Sequence, residues 1–248
     1  MMLGIDVSKH NGNIDWYKVA DSKNVEFALI RTGYGRKSLN QIDPAFEANY
    51  NGCKRNGILV GAYHYSYAQS VAESIAEAEF CCEIIKDKKF EFPIYFDFED
   101  KTQTHLSKQT CSEMVRAFCG VLEEKGYWAG IYSYDSFFQT NLDSTIPKRF
   151  AAWVARVENA FPKYVDEPLV GIHQYSWKGN INGISGEVDL DRAFKDYPSL
   201  IRAAKKNNLD NVSTYSVIGK QNNLNFEKAN EVCCYLKKLG METEIREE

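Results

Sequence analysis

Two acids one residue apart close an apolar run, Phe92-Pro93-Ile94-Tyr95-Phe96-Asp97-Phe98-Glu99-Asp100. A β-branched residue among aromatics, entered at a proline, predicts a short buried strand. Side chains alternate faces along a strand, so Asp97 and Glu99 point one way while Phe96 and Phe98 point the other. At a rise of about 3.3 Å per residue, the backbones carrying the two carboxylates lie roughly 6–7 Å apart. That separation lets two acids work on one bond, or forces their pKa values apart. The plainer alternative is that the acids only mark the solvated end of a strand, with one capping the loop that follows.

Other acids fall at strand ends. Leu3-Gly4-Ile5-Asp6 is a minimal strand ending in Asp6, and Val188-Asp189-Leu190-Asp191 places a D-x-D at the end of the last strand, beside Asp6 if a barrel closes. Tyr34, Tyr63, Tyr65, Tyr132, Trp153 and Tyr175 stand at or near neighbouring strand ends. Acids ringed by aromatics suit glycoside hydrolysis: one carboxylic acid protonates the leaving oxygen, a second charge supports the oxocarbenium-like state, and flat rings hold sugars. A carboxylate cluster is also able to hold Mg²⁺ or Ca²⁺, but no D-x-D-x-D-G loop and no phosphate-cradling glycine run accompanies these acids. His10, His64, His105 and His173 form no H-x-x-x-H or H-E-x-x-H, so zinc is not expected. His64 and His173 lie on strands and read as hydrogen-bonded supports. No G-x-S-x-G elbow occurs and no cysteine has a nucleophile's context, so neither a metal nor a cofactor is expected.

The elements that position these residues follow from the periodicity. Strands are predicted at residues 3–6, 27–31, 58–65, 92–98 and 128–133, with amphipathic helices between them. Asp15, Asp43 followed by Pro44, Ser70 with Glu73, and Thr110 with Glu113 supply the helix starts. This alternation marks a largely parallel sheet with helices outside. Residues 150–155, 169–175 and 184–190 are strand-like with little helical pattern between them, and residues 198–206 read as a closing helix. The fold class predicted is α/β, an irregular TIM-like barrel of eight strands with fewer than eight helices, whose last third is partly antiparallel.

Length and composition fit one barrel with a small appendage: 248 residues, 44% hydrophobic, 13% aromatic, net charge −4. Without a basic face, nucleic acid is not expected as a partner. Seven cysteines, two pairs of them adjacent and none spaced C-x-x-C, predict free thiols in a reducing compartment. The start Met-Met-Leu-Gly-Ile-Asp shows no signal-peptide pattern, and no apolar run approaches the roughly 20 residues needed to span a bilayer. The expected localisation is therefore cytoplasmic accumulation, with no membrane partner.

Seven motifs occur in order: Gly4-Ile5-Asp6-Val7-Ser8, Ile30-Arg31-Thr32-Gly33-Tyr34-Gly35, Gly61-Ala62-Tyr63-His64-Tyr65, Asp97-Phe98-Glu99, Trp153-Val154-Ala155, His173-Gln174-Tyr175 and Val188-Asp189-Leu190-Asp191. Together, over roughly residues 2–200, they resemble the family 25 glycoside hydrolases, the Chalaropsis-type lysozymes common among phage endolysins. The resemblance implies a flattened eight-stranded barrel and cleavage of the β-1,4 bond between N-acetylmuramic acid and N-acetylglucosamine in bacterial peptidoglycan. It implies Glu99 as general acid, Asp97 as the second essential carboxylate, and Asp6 and Asp189 as electrostatic shapers, with a swap between Asp189 and Asp191 left open. Tyr34, Tyr63, Tyr65, Tyr132, Trp153, Gln174, Tyr175 and Asp191 make up the expected substrate-binding set. Asp97 either attacks as a nucleophile or orients the substrate's acetamido group. An enzyme of this kind accumulates without a signal peptide and acts on the wall after release. The rivals are another barrel glycosidase acting on chitin-like polymers and a non-catalytic wall-binding protein.

The expected organisation is a barrel over 1–204, a polar linker over 205–211 and a small βαβ element over 212–248. Tyr215-Ser216-Val217-Ile218-Gly219, Asn225-Phe226-Glu227-Lys228-Ala229 and Lys238-Leu239-Gly240 resemble half of a sporulation-related peptidoglycan-binding repeat. Wall binding and self-association through 212–248 stand as alternatives.

Overall fold

Short apolar runs form strands here because each meets a neighbour of the same kind across a crossover helix. The computed structural model describes residues 1–36, 38–157 and 160–209, together with Lys228, Cys233 and Leu236. Eight strands close into one barrel in sequence order: β1 (Met2–Val7), β2 (Phe27–Tyr34), β3 (Leu59–Tyr65), β4 (Ile94–Asp97), β5 (Ala129–Tyr134), β6 (Ala151–Ala155), β7 (Val170–Gly179) and β8 (Val188–Ala193). Neighbours run parallel from β1 to β7. β8 is antiparallel to both β7 and β1. The irregular, partly antiparallel α/β barrel read from the sequence is the fold that forms.

Seven α-helices occur among the described residues: α1 (Trp16–Asp21), α2 (Phe46–Arg55), α3 (Val71–Ile85), α4 (Lys108–Glu124), α5 (Asp135–Asn141), α6 (Ile146–Arg149) and α7 (Tyr197–Ala203). Among those residues none lies between β6 and β7 or between β7 and β8. The Asp15 and Ser70 side chains cap α1 and α3 as expected, accepting from Lys18 N and Glu73 N. Two starts differ. Ser107, not Thr110, caps α4, and Asp43 is not the cap of α2, whose N-cap is Ala45. Asp43 is buried; its Oδ1 accepts from Ala45 N at 2.9 Å, two residues on at the approach to α2, while its Oδ2 accepts from Arg31 Nε at 2.7 Å and from Lys9 N at 3.1 Å, so its carboxylate serves an ion pair as well as the helix start. Helices α5 and α6, absent from the sequence reading, are too short to show a 3.6-residue period.

Alternation along the strands sorts the core into two layers. Phe27, Leu29, Tyr95, Trp153 and Ile172 fill the barrel interior, while Ile5, Ile30, Phe96, Phe98 and Phe118 pack between strands and helices. The interior is crowded enough to require glycine in two strands. A Cβ at Gly4 would fall 2.4 Å from the Phe27 ring, and one at Gly130 would fall 2.4 Å from the Tyr95 ring. Each glycine lies two residues before a residue at the barrel mouth, Asp6 and Tyr132.

Chain contacts divide the protein into Met1–Asn211 and Val212–Glu248. Within the first unit, part of the stretch read as linker is built into the barrel. Asn207 is fully buried; its Oδ1 accepts from Trp128 N at 2.7 Å, and its Nδ2 donates to the carbonyls of Phe90 and Phe92 at 3.1 and 2.9 Å. Its φ of 58° is left-handed, which Asn tolerates better than most residues. In the second unit Lys228, Cys233 and Leu236 are helical, within the helix expected over 226–239. The strands expected over 213–218 and 241–245 lie outside the described residues.

Asn207→Ala removes three hydrogen bonds and leaves buried backbone groups unpaired. It is expected to cost roughly 2–4 kcal/mol, measured by urea unfolding; an unchanged midpoint would contradict this structural role.

Candidate active site

Three strands bring carboxylates to one cavity of about 250 Å³. Asp6 comes from β1, Asp97 ends β4 with Glu99 two residues beyond, and Asp189 is the second residue of β8. Tyr63, Tyr65, Tyr132, Trp153 and Gln174, all read from the sequence, also line it. Asp97 and Glu99 share the cavity while Phe96 and Phe98 stack in the outer core, 5.0 Å between ring centres, as strand alternation requires.

The D-x-D arrives by a different route from the one expected. Because β8 runs backwards, Asp189 stands near its beginning rather than its end. It lies opposite Asp6 in the register, while Asp191 lies opposite Gly4. Asp191 is therefore one layer deeper, fully buried, and it does not line the cavity. Its Oδ1 accepts from the Trp153 indole N–H at 2.8 Å, while its Oδ2 is buried with no hydrogen-bond partner. The charge of Asp191 in turn raises Asp6.

Besides Asp191, two further expected residues lie away from the cavity. Tyr175 alternates with the inward Gln174 and so faces outward, where the Arg192 guanidinium sits 3.9 Å above its ring. Tyr34 is separated from the site by two rings, standing 5.9 Å from Tyr67, which in turn stands 5.1 Å from Tyr65. Ser8, His10, Asn11 and Arg31 line the cavity without having been assigned a role from the sequence. For Arg31 a signal was present: it continues the inward register of Phe27 and Leu29.

Burial dominates the electrostatics. Asp97 is pushed well above the usual carboxylate range, first by burial and then by the Glu99 charge, with Arg31 opposing. Glu99 is raised by burial, and hydroxyls of Tyr134 and Tyr132 pull it back. Asp6 is raised by burial and by Asp191 and Asp189, against the Gln174 amide, which donates to its Oδ2 at 2.7 Å. Burial carries Asp189 to about 6 and Asp191 to about 8. Asp97 Oδ1 and Glu99 Oε2 bond to no protein group. The cluster thus retains protons at neutral pH, with two buried carboxyl oxygens left without a hydrogen-bond partner in the cavity lining.

His64 and His173 do not supply the proton chemistry. His64 Nε2 lies 2.7 Å from the Gly35 carbonyl and its Nδ1 lies 2.8 Å from Thr32 Oγ1. A carbonyl only accepts, so Nε2 carries the hydrogen, and burial holds the ring neutral with a pKa of about 4. His173 Nε2 likewise donates to the Arg156 carbonyl. Both are supports, as their strand positions predicted. Among the described residues no three His, Cys, Asp or Glu side chains are disposed to hold a metal ion.

A sequence model of the glycosyl hydrolases family 25 matches residues 5–184, from within β1 through β7. The autolytic lysozyme of Clostridium acetobutylicum is 33% identical over 190 residues, covering 77% of this chain and 55% of that protein, so this chain spans about half the length of that relative. The modular autolysin LytC from Streptococcus pneumoniae, solved in complex with a synthetic peptidoglycan ligand, superposes with a TM-score of 0.66 at 30% identity, over 77% of this chain and 46% of that one. The bacterial lysozyme from Streptomyces coelicolor superposes with a TM-score of 0.71 at 26% identity, over 82% and 96% of the two chains.

Carboxyls raised on folding stabilise the protein at low pH, and that stability is lost as pH rises from about 4, where the unfolded acids ionise, through the folded values near 6 and 8. Asp191→Asn keeps the acceptor for Trp153 and removes one titrating group. Its stability relative to wild type is expected to rise by up to ~1.4 kcal/mol per pH unit across that window. Denaturant curves at pH 5 and pH 8 test this, and parallel losses in the two proteins would contradict it.

Proposed function

This chain belongs to the glycosyl hydrolases of family 25, and we propose that it is an N-acetylmuramidase, a lysozyme cleaving the β-1,4 bond between N-acetylmuramic acid and N-acetylglucosamine in bacterial peptidoglycan. The observation that carries this reading is the pair Asp97 and Glu99, both raised by burial and both lining one cavity with Tyr63, Tyr65, Tyr132 and Trp153. Glu99 is the general acid. A carboxyl raised by burial holds its proton until the leaving oxygen needs it. In this reading Asp97 acts as the carboxylate once substrate is bound; Arg31 is the neighbour that favours its charge, against the burial and the Glu99 charge that raise it. Gln174, Tyr63 and Tyr65 hold the sugar, and Asp6 and Asp189 keep the site acidic.

For the first step we take substrate assistance. The acetamido carbonyl oxygen of the muramic acid ring attacks its own C1 while Asp97 accepts from the acetamido N–H, and the bridging oxygen leaves with the Glu99 proton. Water then opens the resulting ring, giving its proton back to Glu99, with retention of configuration. The place of Asp97 in the cavity lining beside Glu99 supports this assignment. Direct attack by Asp97 is the alternative; azide rescue of Asp97→Asn would favour it, and trapping by a thiazoline would favour assistance.

Reducing-end release from purified Gram-positive peptidoglycan tests the reaction. Wild type is expected to expose muramic acid ends, identified by mass spectrometry, and Glu99→Gln to lose at least ~10²-fold in rate. New ends on N-acetylglucosamine would overturn the bond assignment. Cleavage of chitin oligomers without peptidoglycan would favour the chitinase-like rival, and sedimentation with walls without product would leave a binding module.

The setting is an endolysin of phage or prophage type. Cys53, Cys81, Cys111 and Cys119 are buried free thiols, which supports folding in a reducing compartment and release to the wall afterwards. An autolysin, as the clostridial relative is named, is the second reading. Cells producing the enzyme are expected to lyse only once their membrane is permeabilised; lysis without that step would favour the autolysin.

A further inference from the structure

Tyr134 and Trp177 form an exposed aromatic corner beside the acids that the fold itself does not explain. They are 38% and 45% exposed, with ring centres 6.4 Å apart and planes at 83°. Strict alternation after Ile172 and Gln174, which face inward, would send residue 177 outward with His173 and Tyr175. Instead the β7–β8 register slips between Gln174 and Ser176. This bulge turns Trp177 back to the mouth, where its indole N–H donates to Gln174 Oε1 at 3.0 Å. Bulges beside active sites re-aim side chains in this way. Gln174 is itself bonded to Asp6 and to the Tyr132 hydroxyl, so the indole is held to the wall of the cavity.

The geometry points to Trp177, with Tyr134 at its edge, as the platform for the sugar ring on the leaving-group side of the cut bond. This rests on the muramidase reading above. The side follows from how the two acids are held. Strand order puts β2 and β3 on one side of β4 and β5 to β7 on the other. Asp97 feels Arg31 from β2, while Glu99 feels the Tyr134 hydroxyl from β5. The ring that reacts at C1 lies over Asp97. The oxygen that departs takes its proton from Glu99, and the sugar it carries continues towards β5 and β7. With muramic acid giving up C1, that sugar is N-acetylglucosamine. Its substituents are all equatorial, so each face offers axial C–H groups to an indole, and no lactyl ether obstructs the stack.

The test compares two substrates with the same glycone. One is the tetrasaccharide of alternating N-acetylglucosamine and N-acetylmuramic acid, cut at its central bond. The other is the β-fluoride of the N-acetylglucosaminyl-N-acetylmuramic acid disaccharide, whose leaving group has no ring. Trp177→Ala is expected to lower kcat/KM for the tetrasaccharide, mainly through KM, about tenfold more than for the fluoride, which corresponds to ~1.4 kcal/mol. Trp177→Phe keeps a stacking face without the bond to Gln174 and is expected to recover most of that loss. Equal losses on both substrates, or a Phe variant no better than Ala, would overturn the platform and leave Trp177 only bracing Gln174. A Trp177→Ala enzyme as fast as wild type on the tetrasaccharide overturns it too. A wild type that releases no muramic acid ends at all would instead sink the muramidase reading, and the platform with it.

Discussion

Carboxylates withdrawn from water cannot all ionise, and that constraint organises this molecule. Asp6, Asp97, Glu99, Asp189 and Asp191 are each raised first of all by burial. The arrangement retains protons, and its neighbours decide where they reside. Arg31 draws charge to Asp97. The indole N–H of Trp153 stabilises charge on Asp191, and the amide of Gln174 does the same for Asp6. An acid and a carboxylate side by side, fixed by different neighbours, are the condition for general acid catalysis near neutral pH.

Keeping like charges together requires a scaffold that does not yield. Trp153 is the centre of that floor, with Tyr132, Tyr95 and Tyr63 rings at 4.3, 5.3 and 5.7 Å from its own. A packed ring layer keeps solvent out from below, which raises the carboxyls, and fixes the indole that bonds Asp191. Around the rim the support is polar. Asp43 orients Arg31 through a nearly buried ion pair, and His64 ties Thr32 to Gly35 where β2 ends. Breaking such a buried pair from one side leaves an uncompensated charge, so Asp43 matters to the chemistry without touching the cavity.

Much of this was legible because period-two alternation is a strong local signal. It separated Asp97 and Glu99 from Phe96 and Phe98, and position at a strand end was enough to mark Tyr63, Tyr132 and Trp153, which line the cavity. The same rule would misplace Trp177, because a bulge is a property of the pairing between β7 and β8 and leaves no mark in either strand alone. It was available for Tyr175, whose neighbour Gln174 faces in. Asp43 looked like a helix start because Asp-Pro is a local signature, and it does accept from Ala45 N there; its further partner Arg31, on β2, left no local sign. Asn207 looked like linker because a polar run carries no sign of the three backbone groups waiting for it at Phe90, Phe92 and Trp128.

The reversal of β8 explains the rest of the site. A parallel last strand would need a crossover of a dozen residues or more, usually a helix, whereas an antiparallel one needs only a hairpin. The helix missing before β8 and the direction of β8 are thus one fact. Its consequence is chemical. In the strands that run with β1, the mouth receives residues from the strand's end; in β8 it receives the beginning. An inward acid at Asp189 therefore meets Asp6 at the rim, and the next inward position, Asp191, reaches beneath it to Trp153. The D-x-D motif becomes one acid facing the cavity and one acid holding a proton behind it. Those roles could be separated only by strand direction, which residue spacing alone does not encode.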